Sequence, residues 1–392
     1  GPSGASDAFT CVPVRGGEAY GERSFAVPAA QNWVQTGLFL REGETATVVD
    51  EGGEWSLGPV TVGEPIDHSD CVTGQLVARI GLHYKDELLT CVGGSATITA
   101  PRDGLLFVGM LPSNDLGETY ETRRRATGAR SVRVSVPEGV GATVPTVPTA
   151  EVAAFDYAAV SSGWVELAGA HVIATLPTAT AIADRDGLAA ALDRLDTIYE
   201  LHEALRGAVP QHGQRLRFFP DGTQPGYMLA GNPIRMALGL VSLENEDRIS
   251  RAGVPAEEAQ VWGFTHEMGH DFTFVNGAWN YQEQSLEAWP NVFSVNALEQ
   301  LGIALHPNLE RCAEGPFPYG DWDPWEGLCF LLELREERGF AHYEAFFRAL
   351  NELSPGQVPG FAPRWHFVHD LMEETSGADL TPRFEAWGVP RP

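Results

Sequence analysis

Between Trp33 and Val136 the chain alternates apolar and polar residues in short runs. TGLFLREGETATVVD, QLVARIGLHY, SATITAPRDGLLFVGML and SVRVSV carry this period of two, which turns one face of an extended strand inward and the other outward. Turn formers such as Arg102-Asp103-Gly104 separate the runs. Several short strands at this spacing predict an all-β sandwich over residues 29–137. Residues 1–28 have no clear pattern and read as a lead-in, and the opening GPSGAS has the composition of an expression scar. Residues 138–150, within PEGVGATVPTVPTA, are rich in proline, threonine and glycine and read as a semi-rigid linker.

Beyond this point the period changes. GWVELAGAHVIATLPT predicts one or two strands. From Asp184 to Arg206, Leu188, Leu192, Leu195, Ile198 and Leu201 recur at helical spacing and form a core-facing stripe. RLRFFP (215–220) predicts a strand. PGYMLAGNPIRMALGLVSL, apolar and broken by glycine, predicts a strand or strand pair beside a site. After Gln300 the periodicity is mostly helical, at WEGLCFLLELREE from Trp325 and again from Tyr343 to Leu353. The aromatic loop PFPYGDWDPW precedes these helices, and its rings have two uses: stacking on sugar faces or packing among prolines. No internal repeat appears. The chain therefore reads as multidomain, with residues 151–392 forming an α+β domain whose C-terminal part is helical.

The chemistry concentrates between Val261 and Gln300. His266-Glu267-Met268-Gly269-His270 is an HExxH. On a helix, residues four apart share a face, so both imidazoles reach one point. Zinc takes neutral imidazole nitrogens at about 2.0–2.1 Å in a tetrahedral shell. Glu267, next to the first ligand, is placed to take a proton from an attacking water. The alternative is a surface helix with two solvated histidines. The apolar approach Val261-Trp262-Gly263-Phe264 argues for burial instead, and buried histidines need partners.

A third ligand is required. The extended pattern HExxHxxGxxH fails, because Thr273 and Asn276 stand where its glycine and third histidine belong. The best candidate is Glu287, with Glu283 and Glu299 as fallbacks. Glu287 opens a run in which Val292, Val295 and Leu298 can pack on the first helix. Pro290 in that run is comfortable only in a first helical turn, so Glu287 is expected at a helix start or at a kink.

Of the 392 residues, 43% are hydrophobic and 20% charged, ordinary for globular protein. The net charge of −27 excludes a basic nucleic-acid footprint and disfavours anionic membranes. Its plain consequence is solubility. No apolar run reaches the roughly 18 residues of a membrane span. Five cysteines lack CxxC spacing, so a zinc–thiolate site is not expected. Cys71 with Cys91, and Cys312 with Cys329, are candidate local disulfides, with Cys11 left over. Disulfides favour export, so a secreted or cell-surface location is expected although no signal peptide is visible.

The pieces WVQTGLFLREGE, CVTGQLVARIG and GLLFVGMLPSND resemble the galactose-binding β-sandwich of the galactophilic bacterial lectin (PA-IL-like) family. In that family calcium bridges protein and sugar through an Asn-Asp start and a later Asn-Asn pair. Asn114-Asp115 and Thr119 match the start, but Thr122-Arg123-Arg124-Arg125 occupies the place of the pair. The departure speaks against Ca2+ and direct galactose binding, and for a structural or docking sandwich.

The second half resembles the M60 (enhancin-like) zinc metallopeptidases. The resemblance rests on His266-Glu267-Met268-Gly269-His270, Trp279, Glu287, Asn291 and Phe293-Ser294, taken in order. WVELAGAHVIATLPT upstream and the closing GADLTPRFEAWGVP also match. It departs at Asp271-Phe272-Thr273 and at Pro290. The resemblance implies a gluzincin-like catalytic domain of bacterial origin. It carries Zn2+ onto His266, His270 and Glu287, and makes Glu267 the general base and acid. It further implies peptide hydrolysis on O-glycosylated, mucin-type glycoproteins. A monomer that takes no nucleic acid and does not insert in membranes is expected. Candidate glycan or substrate contacts are Asn291, Trp279, Trp289, Tyr281 and Tyr319. An oxyanion donor is expected among Tyr281, His306 and Tyr319. The competing readings are a glycan-independent zinc endopeptidase and a carbohydrate-binding or adhesion protein with an inactive zincin fold.

Overall fold

A computed structural model describes residues 19–57, 63, 70–84, 89–111, 126–210, 215–242, 244–273, 286–335, 339–353, 357 and 365–390. The described chain divides into two compact units, residues 1–193 with 212–253, and residues 194–211 with 254–392.

The first unit holds three sheets. A four-stranded sheet has the order β1 (Glu22–Pro28), β8 (Thr127–Ser135), β3 (Thr45–Ser56), β6 (Ser95–Thr99). A five-stranded sheet has the order β5 (Thr90–Val92), β4 (Leu76–Ile80), β7 (Gly104–Met110), β2 (Val34–Leu40), β9 (Ala142–Thr143). Val27, Leu38, Val48, Leu76, Leu106, Val108, Val132 and Val134 fill one core between their inner faces. This is the expected sandwich, and Cys71–Cys91 closes within it as a disulfide.

GLLFVGM in β7 is apolar at almost every position rather than alternating. Both its faces are covered. Leu106 and Val108 enter the sandwich core, while Leu105 and Phe107 join Leu82, Val144 and Phe219 in a second cluster. A strand buried on both sides reads as a continuous apolar run.

Phe219 belongs to the third, six-stranded sheet. Its order is β10 (Thr146–Pro148), β11 (Trp164–Ala168), β12 (Val172–Pro177), β13 (Leu216–Pro220), β15 (Ile234–Met236), β14 (Met228–Leu229). β12, β13 and β15 run parallel, and β14 pairs antiparallel on β15. Buried Arg217 pairs with Glu166 inside this sheet and lies over Phe107 of the sandwich, 5.3 Å from the ring centroid. Asp221, at the end of β13, accepts from the backbone N of Tyr84 at 2.5 Å and from the Thr223 hydroxyl at 2.7 Å, and faces His83 Nδ1 at 3.0 Å. Burial raises its carboxyl, but these hydrogen bonds outweigh it and hold the group below the ordinary range.

Two expected boundaries move accordingly. Residues 22–28 are a sandwich strand rather than lead-in. Residues 138–150 are not a free linker, because β9 pairs with β2 of the sandwich and β10 with β11 of the third sheet. The sandwich and the six-stranded sheet share one compact unit. The lectin-like loop, Asn114 to Arg125, lies outside the described residues.

The first unit also holds the short α1 (Thr178–Ala183) and the start of α2 (Arg185–Arg206), a helix whose C-terminal part is assigned to the second unit. α2 carries the predicted stripe, with Leu188, Leu192, Leu195 and Ile198 fully buried. Helices dominate the second unit. Then come α3 (Trp262–Thr273), α4 (Trp289–Leu301), α5 (Pro324–Leu334), α6 (Ala341–Glu352), α7 (Trp365–Ser376) and α8 (Thr381–Ala386). Asp323 and Glu326 form a reciprocal capping box that starts α5. Gly302, at φ 64°, ends α4 in the left-handed conformation that suits glycine. The core here is aromatic: Trp289, Trp322, Phe330, Tyr343, Phe346, Trp365, Phe384 and Trp387 are all buried. Phe384 and Trp387, from the closing motif, are therefore core residues. No described helix is long and apolar enough to cross a membrane.

Candidate metal centre

The site is built on the start of α4 and the middle of α3. From Trp289 to Leu298 every side chain of α4 is buried, Val292, Val295 and Leu298 among them, and the helix packs closely against α3. Close approach depends on Gly269. A Cβ there would fall 2.5 Å from the Pro290 carbonyl oxygen and 3.0 Å from its Cα. Pro290 occupies the first turn of α4, where its missing N–H costs nothing. Glu287 stands just before that turn, so its carboxylate reaches the histidine face of α3.

Three ligand-type atoms converge. His266 Nε2 lies 3.0 Å from Glu287 Oε2, His270 Nε2 lies 3.2 Å from the same oxygen, and the two Nε2 atoms are 3.1 Å apart. A tetrahedral zinc with ligands at about 2.0–2.1 Å separates ligand atoms by roughly 3.3 Å. The donor set and its spacing fit one zinc ion. No other group of three or more such side chains is found among the described residues. Glu287 is half-exposed, at 50%, whereas the two histidines are 16% and 18% exposed, so the centre opens on the Glu287 side.

Asn291 is hydrogen-bonded to two of these residues, His266 and Glu287. Its Nδ2 donates to the Glu287 carbonyl oxygen at 2.9 Å, which turns Oδ1 toward His266 Nδ1 at 2.7 Å. Nδ1 must then donate, which leaves Nε2 with its lone pair facing Glu287 and His270. Both ends of the amide are used within the protein, Nδ2 by the Glu287 carbonyl and Oδ1 by His266. The sequence signal was its position four residues after Glu287. Asn291→Ala is expected to weaken zinc affinity roughly 10- to 100-fold, measured by competition with a chromogenic chelator.

The charges are consistent with this arrangement. Hydrogen bonds to His266 and His270 hold the Glu287 carboxyl far below its ordinary range. Burial alone would lower the His266 imidazole, but the bond to Glu287 and the charge of Glu267 outweigh it, and its pKa is raised. Burial raises the Glu267 carboxyl.

Behind α3 stands His202 of α2, a residue the sequence did not single out. It is fully buried, its Nε2 donates to the Thr265 carbonyl at 3.1 Å, and its ring meets Phe272 and Phe293 edge-on at 5.7 and 5.4 Å. Burial pushes its pKa down to about 4. In the unfolded chain a histidine titrates near about 6.5, so the unfolded state binds the extra proton between these values. Stability is full above this window and is lost as pH falls through it. Denaturant titration of the chelated protein should lose about 2 kcal/mol to this group between roughly pH 7.5 and 5. His202→Gln should lack that increment.

The remaining candidates separate cleanly. Trp289, expected as a glycan contact, is fully buried and stacks on Phe346 at 5.8 Å, so it belongs to the core. Glu299, a fallback ligand, makes two 2.9 Å bonds to Arg335. Tyr319 is partly exposed and meets Trp322 edge-on at 5.1 Å. His306 stacks on Trp325. Trp279, Tyr281 and Glu283 lie outside the described residues. Cys312–Cys329 is a disulfide, as expected.

Comparison with known proteins bears on the family and the fold. Human (Homo sapiens) TRPM8 channel-associated factor 2 is 27% identical over 388 residues, which cover 91% of this chain and 38% of that protein. The chain thus spans little more than a third of that relative's length. A functionally unknown conserved protein mutant from Bacillus anthracis str. Ames superposes with a TM-score of 0.66 at 16% identity, over 95% of this chain and 76% of the other. The M60 catalytic domain from Clostridium perfringens ZmpC, in complex with the sialyl T antigen, gives a TM-score of 0.57 at 15% identity, over 92% and 73% of the two chains. These likenesses are of fold. The family described as Peptidase M60, enhancin and enhancin-like matches residues 158–388, more than half of the sequence. The chain belongs to the Peptidase M60, enhancin and enhancin-like family.

Proposed function

We propose that this protein is a gluzincin-like zinc metalloendopeptidase that hydrolyses peptide bonds in O-glycosylated, mucin-type glycoproteins. The observation that carries the reading is the convergence of His266, His270 and Glu287 beside Glu267. The glycan part is supported by the fold shared with a catalytic domain whose structure is in complex with the sialyl T antigen. Two disulfides support an extracellular or cell-surface setting.

His266, His270 and Glu287 would hold a zinc ion, which when bound would supply Lewis acidity at the reacting centre. Glu267 receives the proton of the attacking water as its oxygen closes on the carbonyl carbon, then delivers it to the departing amine nitrogen. Asn291 keeps the His266 lone pair aimed at the centre throughout. A glycan held away from the reacting bond contributes positioning, which is felt as rate when it aligns the peptide.

Incubation with a mucin-type glycoprotein, with and without chelator and before and after enzymatic removal of its glycans, tests the reading. Chelator-sensitive fragments from the glycosylated form alone are expected. Equal cleavage after deglycosylation points to a glycan-independent endopeptidase. The name of the human relative supports a second reading, a binding role for the same fold without turnover, and no cleavage under any condition selects it.

A further inference from the structure

Three aromatic rings of the second unit stand apart from its buried aromatic core. Trp262, the first residue of α3, lies four residues before His266 and shares the face that carries both metal ligands. Its ring centroid is 5.4 Å from His306 and 5.4 Å from Trp325. His306 stacks on Trp325, with centroids 4.3 Å apart and planes inclined by 27°. All three are partly exposed, unlike Trp289, Trp365 and Trp387.

His306 has a defined tautomer. Its Nδ1 accepts the backbone N–H of Asn308 at 3.2 Å, capping the 3-10 helix Pro307–Glu314. The ring proton therefore sits on Nε2, which makes no hydrogen bond to a described residue. Burial lowers the imidazole pKa, so it stays a neutral donor at neutral pH.

The segments carrying these rings are strapped together. Cys312–Cys329 joins the 3-10 helix to α5, and Arg311 pairs with Asp323 at 2.5 Å, the residue that caps α5 and precedes Trp325 by two. Holding His306 against Trp325 in advance removes ordering cost from binding. A rigid aromatic surface with a fixed donor at its rim matches a pyranose, which offers C–H groups on its face and hydroxyls at its edge.

We propose that Trp262, His306 and Trp325 form a sugar-stacking platform one helical turn from the metal ligands, with His306 Nε2–H donating to a hydroxyl of the substrate's glycan. A single turn is about 5.4 Å, so a sugar on a residue beside the scissile bond reaches it. The platform rests on the glycopeptidase reading and adds to it the side chains that recognise the glycan.

The test is binding of an O-GalNAc-threonine peptide, and of the same peptide without sugar, to the zinc-loaded full chain by calorimetry. Glu267→Gln is present throughout to prevent turnover. His306→Asn retains a side-chain acceptor at the cap but removes the ring and the Nε2–H. Trp325→Leu retains apolar bulk but removes the flat face. Each is expected to weaken the glycopeptide about tenfold or more, with the bare peptide, zinc content and melting temperature unchanged. Unchanged glycopeptide affinity in both variants overturns the platform while leaving the glycopeptidase reading intact. Equal weakening of both peptides assigns the rings to a peptide side chain and also overturns it. If the parent protein does not distinguish the two peptides, the glycopeptidase reading itself falls.

Discussion

Glu267→Ala should abolish measurable peptidase turnover while the protein retains stoichiometric zinc. Glu267 shares the turn of α3 with His266 but is absent from the converging ligand atoms, so its removal leaves the metal set whole. What disappears is the group that moves the proton from water to the leaving amine, a contribution of about 10²- to 10⁴-fold. The loss should appear in kcat with little change in KM, because the interaction is made in the transition state. Elemental analysis together with cleavage of an O-glycosylated substrate checks both halves. Turnover within about tenfold of the parent would remove Glu267 from its role, and loss of zinc would make it a structural neighbour of the ligands instead.

Glu287→Ala should have the opposite signature: zinc is lost, and activity with it. On the proposed reading the carboxylate supplies one of three ligand atoms and the only negative charge among them, at 3.0 and 3.2 Å from the two imidazole nitrogens. Loss of a group that merely orients a ligand costs roughly 10- to 100-fold in metal affinity, so loss of a ligand should exceed about 100-fold. The fold should persist. Glu287 precedes α4 and is half-exposed, and its backbone carbonyl still receives Asn291 Nδ2. Zinc content after dialysis against a weak chelator is the measurement. Stoichiometric metal in the variant would hand the third position to Glu283, since Glu299 is engaged by Arg335.

Much of the site was readable because its geometry is local. The imidazoles of His266 and His270 share a face through the pitch of any α-helix, and the exclusion of Thr273 and Asn276 followed from residue type. Glu287 followed from the family pattern, and Pro290, which looked like an obstacle, sits in the first turn of α4 against Gly269. Trp289 was misplaced because exposure has no local signature. Fully buried against Phe346, it reads in the sequence no differently from Trp262, which is partly exposed. His202 and Asn291 gained their roles only from partners on other elements.

By itself the sequence determined the β-sandwich, the leucine stripe of α2, both disulfide pairs, the shared face of His266 and His270 on α3, and the family. These follow from periodicity, spacing and residue chemistry within one segment, or from resemblance to a family pattern. Only the tertiary structure decided that β7 is covered on both faces, that residues 142–148 are strands in two sheets, and that Asn291 orients His266. It alone brought Trp262, His306 and Trp325 together. The reason is that burial and hydrogen-bond satisfaction depend on residues far apart in the chain, and no local pattern encodes which distant surface will cover a given side chain.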